Sequence, residues 1–304
     1  MKTLVLGASG YIGANLTVYL SKKGYEVIAA ARHFSSAWFG RKNVHYAKID
    51  LAQPTTYRKV LNEVDFVIYL VGPGGVLREQ YSSKLIQEHL VLLASFLEEN
   101  SKLNNCPVLF ASSGGTIYGE GVERPFEEND DLEPITPYGL LKLLSEKLLY
   151  YFHRNHSTPF ISFRISNPYG GISHDKIDQG VINIFVKKIL AVQPIEVWGD
   201  GSSTRDYIYI SDLMLAFESA LFRHNINTCI NIGSGVGSSL FNICSLIEDE
   251  TGLEIKREHK PINPKIIDHF VLDICRANAL LNWEPRYSIA EGIALFISES
   301  KNSK

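Results

Sequence analysis

The first half of the chain alternates short β-branched and apolar runs with longer stretches whose apolar positions recur every three or four residues. Residues 3–7 predict a strand, and 11–23 a helix with Ile12, Leu16, Tyr19 and Leu20 on one face. Further strands are predicted over 26–31, 45–49, 65–71 and 107–112, with a short helix around 54–62 and a long one over 83–99. Another helix opens near Pro137 and runs to about 155, and Pro159 precedes a strand over 160–165. Strands alternating with helices pair in parallel through right-handed crossovers, so the expected fold is α/β with a doubly wound parallel sheet. Beyond about residue 168 the pattern loosens, punctuated by Gly170-Gly171, Gly180, Pro194, Gly199-Asp200-Gly201, Pro261 and Pro264. Residues 1–167 are therefore expected to form one domain and 168–304 a smaller, mainly substrate-binding region, with no clean boundary between them. Strands at 206–210 and 228–232 are expected to return to the main sheet.

Composition narrows the class. The 304 residues are 45% apolar and 21% charged, within the globular range. A net charge of −3 leaves no basic excess to neutralise a phosphate backbone, which argues against nucleic acid as a partner. No apolar run approaches the ~20 residues that span a bilayer. The apolar start, Leu4-Val5-Leu6, is interrupted by Gly7, Gly10 and Gly13 and lacks a small-residue cleavage site, so it does not read as a signal peptide. Cys106, Cys229, Cys244 and Cys275 are scattered without a C-x-x-C pair, which suits buried thiols in a reducing cytoplasm better than disulfides or a metal site.

The segment Gly7-Ala8-Ser9-Gly10-Tyr11-Ile12-Gly13 joins the first strand to the first helix. Gly7 permits a tight turn, Gly10 lets backbone approach a pyrophosphate, and Gly13 allows close helix–strand packing. The helix N-terminus then offers free N–H groups to the phosphates. In this context the turn points to a Rossmann-type dinucleotide site in the 1–167 domain. A carboxylate at the end of the second strand would accept from the ribose 2′-hydroxyl of NAD and repel a 2′-phosphate. The chain instead has Ala31-Arg32-His33-Phe34-Ser35-Ser36, with no acid in the run. A guanidinium binds phosphate in bidentate fashion, so Arg32 and Ser35 favour NADP(H), with NAD(H) the other possibility.

Tyr138 and Lys142 stand four apart at the start of a predicted helix, on one face and one turn apart. A nearby ammonium favours phenolate, so Tyr138 can exchange a proton with an alcohol or ketone while hydride moves to or from a nicotinamide. Upstream, Val108-Leu109-Phe110-Ala111 runs into Ser112-Ser113-Gly114-Gly115-Thr116-Ile117-Tyr118-Gly119, placing hydroxyls at the carboxyl end of a parallel strand, where they face a ligand crevice.

Taken together, these segments resemble the extended short-chain dehydrogenase/reductases of the UDP-glucose 4-epimerase and nucleotide-sugar dehydratase branch. The carriers are the turn at Gly7, Asp50-Leu51, the Ser112–Gly119 run, Pro137-Tyr138-Gly139-Leu140-Leu141-Lys142 and Asn167-Pro168-Tyr169-Gly170. They continue with Gly199-Asp200-Gly201 leading into Arg205-Asp206-Tyr207, and with Leu281-Asn282-Trp283. The resemblance implies that Gly7, Ser9, Gly10, Tyr11, Ile12 and Gly13 line the cofactor, with Asp50 and Leu51 on adenine and Val71 and Gly72 beneath the nicotinamide. It implies Tyr138 as acid/base, Lys142 as its partner on the ribose, and Asn167 and Arg205 on the substrate diphosphate. A homodimer through the Tyr138 helix and the long helix before it is likewise implied.

Several positions depart from the pattern. Where many relatives carry a third catalytic Ser or Thr, this chain has Gly114, so Ser113 or Thr116 must take that role; Thr116 is preferred and Ser113 would also touch substrate. The stretch Tyr69-Leu70-Val71-Gly72-Pro73-Gly74-Gly75 replaces an H-x-A-A-like run, and His89 stands near a common Asn, either there or as a core histidine. A 4,6-dehydratase needs an Asp-Glu pair where Gly114 and Gly115 stand. The expected substrate is thus a nucleotide sugar and the expected activity NADPH-dependent reduction of a nucleotide-linked 4-keto-6-deoxyhexose for polysaccharide biosynthesis. The alternative is a nucleotide-hexose 4-epimerase with tightly bound NAD.

Overall fold

The computed structural model describes residues 1–34, 40–73, 83–120, 124–172, 180–223, 225–261 and 269–302. Along the first half run β1 (Lys2–Leu6), α1 (Tyr11–Lys22), β2 (Glu26–Ala31), β3 (Val44–Lys48), α2 (Arg58–Leu61), β4 (Phe66–Tyr69) and α3 (Ser83–Lys102). These are followed by β5 (Val108–Ser113), α4 (Gly114–Ile117), α5 (Pro137–His156), β6 (Phe160–Ile165) and β7 (Asn167–Tyr169). The second half holds α6 (Val181–Leu190), β8 (Ile195–Trp198), β9 (Thr204–Tyr209), α7 (Ile210–Leu221), β10 (Thr228–Ile232) and β11 (Gly237–Ser239). It ends with α8 (Leu240–Thr251), β12 (Arg257–Lys260), β13 (His269–Phe270), α9 (Cys275–Leu281) and α10 (Ile289–Asn302).

Seven parallel strands in the order β10-β6-β5-β4-β1-β2-β3 form the main sheet, the doubly wound Rossmann-type arrangement expected from the strand–helix alternation. Side chains alternate between its faces. Val5, Ala29, Ile68, Leu109 and Ile161 pack with Leu16 and Leu20 of α1 and Leu213 and Phe217 of α7. Leu4, Leu6, Val67, Val108 and Phe110 pack on the other face with Leu93 and Phe96 of α3 and Leu149 and Phe152 of α5. Burial on both faces explains why β4 reads as an unbroken apolar run.

The two later strands separate. Thr228–Ile232 joins the main sheet beside β6, in register from Thr228↔Ile161 to Ile232↔Ile165. The segment over 206–210 does not return to it, a correction to the sequence expectation. β9 lies instead in a smaller four-stranded sheet with β7, β11 and β13. Both strands bury apolar side chains, Tyr207 to Tyr209 in one and Cys229, Ile230 and Ile232 in the other, so the pattern signals extended backbone without signalling a partner; the edge beside β6 is taken by β10. A third cluster built from α6, α8, α10 and β9 packs behind the small sheet. Among the described residues no helix is long and apolar enough to cross a membrane.

Candidate active site

The glycine turn has the geometry its spacing demands. Gly7 takes φ +86°, and the Gly7 and Ala8 N–H groups donate to the Ala30 carbonyl at 3.0 and 3.1 Å, seating the turn on the end of β2. A Cβ at Gly13 would lie 2.3 Å from the Gly7 carbonyl oxygen, so only glycine lets α1 start this close to the strand. Gly10 is the N-cap and no side chain caps the helix, which leaves its first N–H groups facing outward at the positive end of the helix dipole. A dinucleotide pyrophosphate fits this cradle by shape and charge. Ser9 and Ile12 are half-buried beside it. The Tyr11 side chain serves the fold, donating its hydroxyl to the Gly170 carbonyl at 2.7 Å, so only its backbone is available to a cofactor.

Arg32 follows β2 directly and is exposed. Ser35 lies outside the described residues, as do Gly74 and Gly75. The Asp50 carboxylate accepts from the Ala52 N–H at 3.1 Å and the Gln53 amide at 3.3 Å, shaping the turn after β3, while Leu51 is in the core. Val71 and Gly72 follow β4, and a Cβ on Gly72 would come within 3.5 Å of the Lys142 Nζ. The ends of β1, β2, β4 and β5 thus converge with Lys142 on one side of the sheet, the edge where open α/β sheets bind ligands.

α5 begins with Thr136 as N-cap, accepting from the Gly139 N–H at 3.1 Å, and with Pro137 pre-set for the first helical position. Tyr138 is half-buried and Lys142 buried, with its Nζ 5.5 Å from the Tyr138 ring centroid and 4.7 Å from that of Phe110. Lys142 donates to the Ala111 carbonyl at 2.6 Å. Burial pushes its pKa down to about 8, partly opposed by the nearby Glu146 carboxylate.

The β5–α4 corner explains the missing third hydroxyl. A Cβ at Gly114 would stand 2.8 Å from Leu272 Cδ1 and 3.2 Å from the Arg164 carbonyl oxygen, so a serine or threonine there has no free space in this chain. Ser113 is half-buried. Thr116 is buried, and its Oγ1, like Ser112 Oγ, has no hydrogen-bond partner among the described residues. A Cβ at Gly139 would lie 2.1 Å from the Thr116 carbonyl oxygen. That close approach carries Tyr138 alongside the corner. The sequence reading missed the need for glycine at 139, although the Pro-Tyr-Gly triplet was in view.

Asn167 and Arg205 sit in the small sheet. Asn167 donates to the Asp206 carbonyl at 2.7 Å, and Arg205 donates to the Thr204 carbonyl at 2.8 Å and pairs in register with Phe270. Asp206 between them is fully buried and collects the N–H groups of Ser234, Gly235 and Leu272 and the Ser234 hydroxyl. Burial raises its pKa; these donors pull it back. The sequence also gave no sign of a buried network behind Lys142. Glu146 pairs with Arg164 at 2.8 Å, Arg164 donates to the Tyr118 hydroxyl at 2.9 Å, and that hydroxyl donates to Asn231 Oδ1 at 2.5 Å. Both ionic partners are buried, so each depends on the other for charge compensation.

The Rossmann-type sheet, the glycine turn and the Tyr138–Lys142 pair define an extended short-chain dehydrogenase/reductase. Comparison with known proteins takes this further: the chain belongs to the NAD dependent epimerase/dehydratase family, whose pattern matches residues 3–233. It is an enzyme of that family. The chain is 30% identical, over 99% of its own length and 98% of the relative, to a putative UDP-glucose 4-epimerase of Methanocaldococcus jannaschii. It is 40% identical to an Escherichia coli dTDP-4-dehydro-6-deoxyglucose reductase across 62% of this chain and 60% of that one. The structure of a Thermotoga maritima UDP-glucose 4-epimerase with UDP-glucose superposes with a TM-score of 0.91 at 27% identity, covering 100% of this chain and 99% of that chain.

Proposed function

We propose that this enzyme reduces carbon 4 of a nucleotide-linked 4-keto-6-deoxyhexose with NADPH. The observation that carries this reading is the end of β2. It abuts the glycine turn through the Ala30 carbonyl, and the next side chain outward is the exposed Arg32, with no carboxylate between Ala29 and Ser36. A guanidinium there favours a 2′-phosphate. The 40% identity to the E. coli reductase, the highest among the relatives named above, supports the same direction of chemistry.

When bound, the nicotinamide supplies the hydride for carbon 4. Tyr138 donates its phenolic proton to the oxygen on that carbon, and Lys142 holds the resulting phenolate in a low-dielectric setting where a cation is most effective. Thr116, with Ser113 as the other candidate, hydrogen-bonds the reacting oxygen. Asn167 and Arg205 take the substrate diphosphate. α3 and α5 pack on each other and expose Val91, Leu140, Leu144 and Tyr151, which supports a homodimer through these helices.

The test is NADPH consumption with a nucleotide-linked 4-keto-6-deoxyglucose, by wild type and by Arg32→Ala. Wild-type turnover with NADPH, and an Arg32→Ala loss far greater with NADPH than with NADH, is expected; equal losses would reject the reading. Hexose 4-epimerisation is the second reading, favoured by the near-full-length match to the M. jannaschii relative. It is met if bound NAD co-purifies and no NADPH is consumed.

A further inference from the structure

Ser166 follows β6 directly and is only 8% exposed, yet its Oγ has no hydrogen-bond partner among the described residues. Its N–H is spent on the Ile232 carbonyl at 2.9 Å, so the backbone is tied to β10 and only the hydroxyl is left over. A buried hydroxyl without a partner is destabilising in the free protein, and a ligand that supplies the partner removes that cost.

The surroundings of this hydroxyl are those of the active site. Ser162 Oγ bonds Glu146 of α5 at 3.2 Å and Arg164 pairs with the same carboxylate at 2.8 Å, so this face of β6 looks towards α5. Alternation along the strand carries Ser166 to the same face. The register that pairs Ser113 with Ile165 brings the next positions, Gly114 and Ser166, side by side. Ser166 therefore offers a hydroxyl beside the place where Gly114 has no side chain. Its height matches as well. α5 runs back along β6, and from Glu146 to Tyr138 it climbs eight residues, about 12 Å. From the level of Phe163, between the two Glu146 partners, β6 climbs three residues to Ser166, about 10 Å. Tyr138 on the helix and Ser166 on the sheet thus stand level, with α4 and its Thr116 packed against both elements.

We propose that Ser166 is a substrate-specificity residue whose hydroxyl hydrogen-bonds the hydroxyl on carbon 3 of the sugar, next to the reacting carbon. The proposal rests on the reductase reading for the sugar and its keto group. In that reading Tyr138 and Thr116 take the two lone pairs of the oxygen on carbon 4, and carbon 1 carries the diphosphate towards Asn167 and Arg205. Between these two ends a pyranose presents two different edges. One holds the hydroxyls of carbons 2 and 3; the other holds the ring oxygen and carbon 5 with its methyl group. A serine that can donate and accept at once fits the hydroxyl edge. Standing level with Tyr138, at the carbon-4 end, it meets carbon 3.

The test pairs one variant with one altered substrate. Wild type and Ser166→Ala are each assayed for NADPH consumption with the nucleotide-linked 4-keto-6-deoxyglucose and with its 3-deoxy counterpart. Losing either the serine hydroxyl or the carbon-3 hydroxyl is expected to lower kcat/KM by roughly fivefold to tenfold. Losing both should cost no more than losing one, because a single hydrogen bond is removed. Losses that multiply, or an unchanged Ser166→Ala with the parent sugar, would overturn the proposal. Thermal unfolding of the free protein supplies a second readout. Ser166→Ala should melt at the wild-type temperature or above it, since no bond within the protein is lost. A clearly lower melting temperature would give the hydroxyl a structural partner and overturn the proposal too. Failure of the reductase reading looks different: wild type then consumes no NADPH with either sugar. The same four combinations read as Kd by calorimetry, without NADPH, still decide the role of Ser166. Coupled losses uphold it, and independent losses overturn it.

Discussion

The glycine turn and the β5–α4 corner lie two strands apart at the same edge of the main sheet, yet they are built in different ways. The tightest contact of the turn is local: the Gly13 position is set by the Gly7 carbonyl, six residues earlier, and what the turn meets from farther along the chain is backbone, at Ala30, Leu70 and Val71. The corner is assembled from remote parts of the chain. Gly114 accommodates Leu272, and Thr116 meets Gly139 at the start of α5. Where steric constraint acts within one turn, residue type at fixed spacing records it. Where it acts across 158 positions, as between Gly114 and Leu272, the same glycine reads only as a departure from a pattern.

Four tests sharpen this contrast. Tyr138→Phe removes the proton donor and leaves the cofactor cradle untouched, so turnover should fall on the order of a thousandfold with dinucleotide affinity unchanged. Steady-state kinetics beside a fluorescence titration would read both, and turnover near wild type would break the assignment of Tyr138. Within the turn, Gly13→Ala places a methyl 2.3 Å from the Gly7 oxygen, a rigid backbone atom. We expect roughly 3 kcal/mol of lost stability on chemical denaturation. Gly10→Ala, 3.3 Å from the same oxygen, should cost visibly less, and equal costs would contradict the local geometry.

Lys142→Met tests the site between them. Burial lowers the Lys142 pKa from 10.5 to about 8. At about 1.4 kcal/mol per unit, burying the charged form costs roughly 3 kcal/mol. The bond to Ala111 returns about 1 kcal/mol, so the methionine variant should be inactive yet more stable by roughly 2 kcal/mol at pH 7. The sign with pH follows from linkage. Between about pH 8 and 10.5 the unfolded chain holds the proton that the folded one has shed. This group therefore makes wild-type stability rise across that window, and the gain is lost as pH falls back through 8. The methionine variant should lack that rise. Smallest of the four is the corner itself. Gly114→Ser should cost about 1 kcal/mol against Leu272, and combining it with Leu272→Ala should recover part of that cost in a double-mutant cycle. Strict additivity would mean the two positions do not compete for space.

Much of the architecture was legible because parallel strands buried on both faces leave apolar runs that alternate with amphipathic helices, and β1 to β6 were placed on that signal alone. Strand identity did not convey strand partnership: β9 and β10 both read as strands, and only β10 reaches the main sheet. For the site, Tyr138 and Lys142 were visible because four-residue spacing is a helix property. The Glu146–Arg164–Tyr118–Asn231 network was hidden, since its members lie 18, 46 and 113 positions apart and none carries a local signature. His89 was visible as an anomaly, but its crevice with Lys142 depends on α3 and α5 packing together.

The most direct test of the reductase assignment is to strip bound nucleotide from the purified protein, identify it, and titrate NADPH and NADH into the emptied site. An empty or NADP-bearing protein that binds NADPH at least roughly tenfold more tightly than NADH is the predicted result. Tightly retained NAD, with equal or weaker binding of NADPH, would contradict the role given to Arg32 and place the enzyme among the 4-epimerases.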